Sequence, residues 1–427
     1  MSIGIMLLLT LILLVMGLPL YVVFLFPSIV VLILFLHIPL EAAIQSSYNC
    51  LDNFPLLAVP FFLLSGSVMG GGGLSKRLVN WIMSIIGSIR GGLGITTVAA
   101  CEFFGAISGS SPATVASLGP VLVPHLLDNG YSKKMSLGLI TSCGALAIII
   151  PPSIAMVLFG AVGNVSIGGL FIGGILPGIT IGLVISCYVV YRAHVEKIGK
   201  LGDKLSLINI LKNTKDAIWT IGMPAIILGG IYSGLFTPTE AAGVSAIYAV
   251  IVAIFIYKEL TLRALIERII DTAILTGQIL IILTSAGVYA WVLTVSQVPQ
   301  QLVAIVDKLD LSLSMVLILF NIILLIAGMF IDPPSAIVIF TPLFMPLTKL
   351  LGMDPLHLGI LMTVNLAIGM FSPPFGLNLF VSLAVFKVEM PFLARSIIPF
   401  GILYLFCLAV ITYVPFLSLW LPRLLGF

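Results

Sequence analysis

Six prolines in the first half of this chain recur in the second half at one offset of 222 residues. Pro112 pairs with Pro334, Pro120 with Pro342, Pro124 with Pro346, Pro151 with Pro373, Pro152 with Pro374 and Pro177 with Pro399. With 25 prolines in 427 residues, coincidence alone gives about one such pair, so the chain carries an internal duplication. A proline inside a helix removes a backbone hydrogen bond and bends or breaks it. The same elements must therefore be broken twice, in the same order. The match extends beyond the prolines: Pro39-Leu-Glu-Ala-Ala-Ile44 aligns with Thr261-Leu-Arg-Ala-Leu-Ile266 at the same offset.

What surrounds those breaks is apolar. The chain is 60% hydrophobic and 8% charged, against about 25% charged in a soluble domain, and its mean hydropathy is +1.26. Its apolar stretches are long enough to span a bilayer as helices, and none alternates as a barrel strand would. The expected fold is an all-α polytopic membrane protein whose partner is the lipid bilayer. The net charge of +3 comes without a basic cluster outside the membrane flanks, so nucleic acid is not an expected partner. The five cysteines lie singly, without metal-ligand or disulfide spacing. The apolar stretch from Ile3 to Val15 lacks a basic leader and a clear cleavage site, and reads as a retained helix.

The organisation follows from the offset. Residues 1–193 form the first repeat, 194–216 a polar linker and 217–427 the second repeat. Each half reads as two apolar helices, an amphipathic segment, a further span and a second amphipathic segment. A glycine- or proline-broken hairpin follows (91–127; 312–350), then a span interrupted by Pro-Pro (131–163; 355–386) and a last helix. A hairpin re-enters and returns, so each half makes five crossings. An odd count places the two halves in opposite orientations. With the linker cytoplasmic, sixteen of the nineteen basic residues fall inside and three (Lys308, Lys349 and Arg423) outside. The positive-inside rule selects this arrangement, with both termini periplasmic. The hairpins then enter from opposite faces and their tips meet near the midplane. Two inverted-topology repeats with re-entrant hairpins and broken helices are the layout of a secondary transporter.

The first hairpin tip contains Ser108, Gly109, Ser110, Ser111, Pro112 and Thr114. Glycine permits the tight turn and proline suits a helix's first turn, which leaves free N–H groups that attract an anion. The hydroxyls are candidate ligands or, alternatively, caps for the broken backbone. In the second tip Asp332 precedes Pro333-Pro334-Ser335, which makes it an N-cap and also an intramembrane carboxylate, a functional candidate by default. In the interrupted spans, Pro151-Pro152 and Pro373-Pro374 free the carbonyls of Ala147, Ile148, Gly369 and Met370, which suit a sodium ion. The reading is one sodium site per repeat, between tip and break. The sodium set is Ser108, Gly109, Ala147, Ile148, Asp332, Gly369, Met370 and Ser372. The anion set is Ser110, Ser111, Thr114, Ser153, Ser335 and Asn378. A plain proline kink is the alternative, but two Pro-Pro breaks at matching positions argue against it. Glu240, beside Pro238, reads as a helix cap, and Glu102 as a candidate proton carrier unmatched in the other repeat. Asn164, Asn321 and Asn365 read as interhelical hydrogen-bonding residues.

Several strings in order resemble the large membrane subunit (DctM-type) of tripartite ATP-independent periplasmic (TRAP) transporters. They are Phe54-Pro-Leu-Leu-Ala-Val-Pro-Phe-Phe62, Gly73-Leu-Ser-Lys-Arg77, Ser108-Gly-Ser-Ser-Pro-Ala-Thr114, Ile149-Ile-Pro-Pro-Ser153 and Leu235-Phe-Thr-Pro-Thr-Glu-Ala241. The resemblance covers essentially the whole chain. It implies a sodium-driven, elevator-type importer in the bacterial inner membrane, with Na+ as coupling ion. It also implies two partners, a small TRAP membrane subunit (DctQ-type) and a periplasmic substrate-binding protein (DctP-type). Substrates of the family are mostly small organic anions, carboxylates or sulfonates, such as C4-dicarboxylates, keto acids and sialic acid. A stand-alone ion-coupled anion transporter of similar architecture is the alternative. An intramembrane enzyme would need a convergent His/Asp or Ser/His constellation in the spans, and the sequence offers none.

Overall fold

The computed structural model describes residues 2–71, 73–198 and 206–427, and within them every regular element is helical. The first repeat runs α1 (Ser2–Val15), α2 (Leu20–Val31, extended by a π-turn to Leu36), α3 (Leu40–Leu51), α4 (Ala58–Gly71) and α5 (Leu74–Ile86). It continues with the hairpin α6 (Gly92–Ser108) and α7 (Ser111–Asp128), the broken pair α8 (Lys133–Cys143) and α9 (Ile154–Gly163), and α10 (Ile167–Val195). The second runs α11 (Leu207–Tyr232), α12 (Pro238–Ile251, with its own π-turn to Ile256), α13 (Leu262–Val295), α14 (Val298–Lys308) and the hairpin α15 (Leu313–Gly328) and α16 (Pro333–Leu350). The broken pair α17 (Pro355–Met370) and α18 (Leu377–Phe386), α19 (Met390–Tyr413) and α20 (Phe416–Leu424) complete it. The hairpin's second arm starts and ends at the offset to the residue: Ser111 and Asp128 match Pro333 and Leu350.

The start signals behave as their chemistry requires. Thr237 and Glu240 form a reciprocal capping box at α12, the Thr237 N–H donating to Glu240 Oε2 at 2.8 Å. Ser132, Ser153, Ser166, Thr261, Ser312, Asp332 and Asp354 each cap the helix that follows.

The two repeats interleave. α2 packs on α13 and α4 on α12, so the first helices of each half brace the long span of the other. The helices that follow the breaks cross over too: α18 lies along the hairpin arm α7, and α9 along α16. Each hairpin thus touches the broken span of its own repeat and the half-helix of the other. Among the described residues, five segments are long and apolar enough to cross a membrane unaided: Phe54–Gly71, Ile167–Val195, Pro238–Ile256, Leu262–Val295 and Met390–Tyr413. The half-helices on either side of each Pro-Pro are shorter and must add to one crossing.

Three expectations change. Residues 261–270 and 271–293 form one 34-residue helix, not an amphipathic segment followed by a span. The first repeat breaks at Asp52-Asn53-Phe54-Pro55, whereas the second has Ile274-Leu-Thr-Gly277 there and no proline to interrupt the hydrogen-bond ladder. The linker 194–216 is also partly helical, since α11 begins at Leu207. Its residues 199–205, with Lys200 and Lys204, lie outside the described residues. The last helix stops at Tyr413, because Pro415 follows and starts the separate α20.

Candidate functional site

Hairpin tip and broken span meet through backbone contact in both repeats, and glycine makes the contact possible. In the first, a Cβ on Gly105 would lie 2.5 Å from Ala147 Cα. In the second, a Cβ on Gly369 would lie 2.4 Å from the Gly328 carbonyl oxygen. Gly109, at the turn of the first tip, has φ +58° and faces the Pro152 carbonyl, so a side chain there would be both strained and obstructed. The other side of this tip rests on α4, where Gly66 leaves room for Ser108.

The tip hydroxyls are largely folded inward. Thr114 Oγ1 donates to the Ser110 carbonyl at 2.9 Å and lies 3.4 Å from Ser108 Oγ, which in turn accepts from the Ser110 N–H at 3.4 Å. These bonds satisfy the turn, which is the capping half of the expectation. Ser111 reaches out instead: its Oγ donates to Asn378 Oδ1 at 2.8 Å, in the half-helix of the opposite repeat. Asn378 Nδ2 donates to the Thr141 carbonyl at 3.0 Å. All of these side chains except Ser110 are buried. The first tip, the span before the first break and the half-helix after the second break are therefore joined in one polar junction.

At the breaks, Ile148 and Gly369 do not keep free carbonyls. The Ser153 hydroxyl donates to the Ile148 carbonyl at 2.5 Å, and the Ser372 N–H to that of Gly369 at 3.1 Å. No hydrogen bond among the described residues reaches the carbonyls of Ala147 or Met370. Beside the second break, the carbonyl oxygens of Gly369, Met370 and Ser372 all lie within 2.9 Å of where a Cβ on Gly376 would sit. The Ser372 carbonyl accepts from the Gly376 N–H at 3.0 Å, so of these three clustered oxygens that of Met370 is the one without a hydrogen bond among the described residues. Ser372 Oγ donates to the Ile368 carbonyl at 2.7 Å, and the Phe375 N–H to Met329 of the second tip at 3.2 Å.

Asp332 turns onto its own helix: Oδ1 accepts from Ser335 Oγ at 2.5 Å and Oδ2 from the Ser335 N–H at 3.4 Å. The geometry describes an N-cap, and Ser335 is occupied by the same pairing. The two breaks also differ in surroundings. Pro151, Pro152 and Ser153 are buried, while Pro373, Pro374 and Phe375 are exposed.

Sequence reasoning did not single out Thr141, Ser382 or Gly376. Thr141 Oγ1 and Ser382 Oγ lie 2.7 Å apart, beside the Ser111–Asn378 bond. Ser382 sits one helical turn after Asn378, a spacing that could have flagged it. Of the other polar residues, Asn365 Nδ2 donates to Asn321 Oδ1 at 2.8 Å and Asn321 Nδ2 to Thr412 Oγ1 at 3.0 Å, an interhelical chain. Asn164 is different: it is the left-handed C-cap of α9, φ +53°. Glu102 projects at Gly182 of α10, and its buried Oε1 has no hydrogen-bond partner.

Repeated hairpins, spans broken at matching Pro-Pro bonds and a buried polar junction between repeats define a multi-pass membrane transporter. The family described as "Tripartite ATP-independent periplasmic transporter, DctM component" matches residues 7–417. This chain belongs to that family, and is a transporter component, not an enzyme. It is 43% identical over 375 residues to the C4-dicarboxylate TRAP transporter large permease protein DctM of Pseudomonas aeruginosa, covering 88% of each chain. It is 37% identical over 450 residues to the protein of the same description in Vibrio cholerae, covering 100% of this chain and 98% of the other. Among solved structures, the Alcanivorax borkumensis YdaH transporter matches with a TM-score of 0.63 at 17% identity, covering 89% and 88% of the two chains, a likeness of fold.

Proposed function

We propose that this chain is the translocation subunit of a sodium-coupled importer of small organic anions, C4-dicarboxylates first among them. The observation that carries the reading is the Ser111–Asn378 junction, where a helix N-terminus from one repeat meets the half-helix of the other in a buried setting. Helix N-termini hold carboxylates or sulfonates without needing lysine or arginine, and the spans hold almost none. Sodium would sit on the flanking carbonyls, Ala147 with Ser108 and Gly109 on one side, and Gly369, Met370 and Ser372 on the other. The anion would lie at the α7 N-terminus, bordered by Ser110, Ser111, Thr114, Ser153 and Asn378, whose present hydrogen bonds within the protein it would exchange for its own. Asp332 and Ser335 shape the second tip as a cap.

The two related breaks are unequally buried within the chain, Pro151–Ser153 covered and Pro373–Phe375 exposed, an asymmetry of the kind that alternating access exchanges. In an elevator movement the hairpins and broken spans travel together against α1–α5 and α11–α14. The topology, though not which side is inside, is supported by which residues share a face. Arg90 Nε donates to the Ile198 carbonyl, and Arg77 pairs with Glu259, all placed inside by the charge count. Arg423 pairs with Asp354, both placed outside. The tripartite description of the family and the 43% identical permease support a small membrane subunit and a periplasmic binding protein as partners in the inner membrane.

The test is uptake into proteoliposomes holding both membrane subunits, with the cognate binding protein outside. Replacing external sodium by potassium at equal ionic strength is expected to reduce uptake of a labelled C4-dicarboxylate at least tenfold, the factor that ~1.4 kcal/mol of coupling supplies. Equal uptake in both salts refutes the coupling.

A further inference from the structure

A polar cavity that shares no residue with the junction lies at the end of the scaffold that the charge count places in the cytoplasm. It encloses about 590 Å³ between the start of α5, the start of α11 and the end of the α12 π-turn. Its walls are locked. Arg77 lies 4.1 Å over the Tyr257 ring and pairs with Glu259 Oε1 at 2.5 Å, the Tyr257 hydroxyl donates to the Asp216 carbonyl at 2.7 Å, and Trp81 Nε1 donates to Thr214 Oγ1 at 3.1 Å. Arg77 and Glu259 neutralise one another. That leaves Lys76, Lys215 and Asp216, none of them in an ion pair among the described residues. The uncommitted charge is one positive unit, which matches a phosphodiester.

The edge of the cavity is apolar. Trp219 and Ile256 line it, and beside them Ile218 (54% exposed) and Phe255 (68% exposed) continue onto the outer face of the helices. Indole rings belong at the headgroup level, with apolar side chains below them. A basic pocket between helices that opens onto an acyl-chain surface, on the face where anionic lipids concentrate, has the chemistry of a lipid headgroup site.

We propose that this cavity binds the phosphate of an anionic phospholipid, with Lys76 and Lys215 as its cationic ligands and the acyl chains running past Trp219 and Ile256. The lipid would fasten the amphipathic α5 to the start of α11, two elements of the stationary scaffold. The proposal leans on the cytoplasmic placement of α5, but its test needs neither sodium nor transport, so the two readings can fail separately.

The experiment is native mass spectrometry of the purified full chain titrated with phosphatidylglycerol, alongside phosphatidylcholine and inorganic phosphate. The chain is expected to retain one phosphatidylglycerol in preference to phosphatidylcholine. The Lys76→Gln/Lys215→Gln variant should bind it about thirtyfold more weakly, at roughly one factor of five to six per lysine. Lys308→Gln, on the opposite face, should bind as the unaltered chain does. Should the double variant not fold, Asp216→Asn serves instead: it removes the one opposing charge and should tighten binding several-fold. Equal binding by the unaltered chain and the double variant, or no effect of Asp216→Asn, overturns the site. Inorganic phosphate that displaces the lipid at equal concentration overturns the lipid assignment in favour of a free anion.

Discussion

Gly369→Ala is expected to disable uptake by at least tenfold while the chain still inserts in the membrane. The added Cβ would sit 2.4 Å from the Gly328 carbonyl oxygen, 2.5 Å from its carbonyl carbon and 2.7 Å from its Cα. These are backbone atoms in the hairpin's first arm, so no rotamer change relieves the clash. Overpacking of this kind costs about 1–3 kcal/mol, and the direct relief is to push the second tip away from the second break. That separation opens the Gly369, Met370 and Ser372 carbonyl cluster proposed to hold sodium. A factor of ten in occupancy corresponds to about 1.4 kcal/mol, within reach of the strain. Gly401→Ala is the control, because nothing lies within 4 Å of its Cβ position on α19. It should leave uptake and thermal midpoint unchanged or slightly raise the latter. A Gly369→Ala chain with normal uptake and an unshifted midpoint would show that the hairpin does not need its close approach.

Asn378→Ala has the second largest expected effect. The amide satisfies two buried partners in separate elements, the Ser111 hydroxyl and the Thr141 carbonyl. Its removal takes away the partner of the Ser111 hydroxyl and the side-chain donor to the Thr141 carbonyl, at about 1–3 kcal/mol. The helix itself survives, since alanine is the better helix former, so insertion and expression should hold. The sodium concentration for half-maximal uptake is expected to rise about tenfold. That is the shift produced by ~1.4 kcal/mol when the junction is part of the sodium-bound state and looser without it.

Much of this architecture could be read from the chain because prolines act locally. A Pro-Pro pair ends a helix whatever surrounds it, so Pro151-Pro152 and Pro373-Pro374 disclosed the breaks and Pro112 with Pro334 the hairpin arms. Asp332 followed by two prolines and a serine likewise announced its cap. What could not be read was whatever depends on distant packing. Asn378 and Ser111 were each legible as polar residues at broken backbone. Their direct bond, across 267 positions of sequence, depends on α18 crossing onto the other repeat's hairpin. The proposed sodium ligands separated for a similar reason: proline freed four carbonyls, but a serine hydroxyl and a backbone N–H, delivered by the local fold, each occupy one lone pair, on Ile148 and on Gly369. The repeat offset itself misled where the halves have diverged. α3 and α4 are two helices because Pro55 separates them, and their counterpart is the single α13.

The central claim is that the Ser111–Asn378 junction, proposed to border the anion, is formed in the sodium-bound state and so couples the two ligands. Its most direct test is a titration of uptake against external sodium for the unaltered chain, Ser111→Ala, Asn378→Ala and the double variant. The account predicts that each single variant raises the half-maximal sodium concentration. The double variant should raise it by clearly less than the product of the two, as partners in one hydrogen bond do. Sodium titrations that superimpose on that of the unaltered chain in both single variants would contradict it.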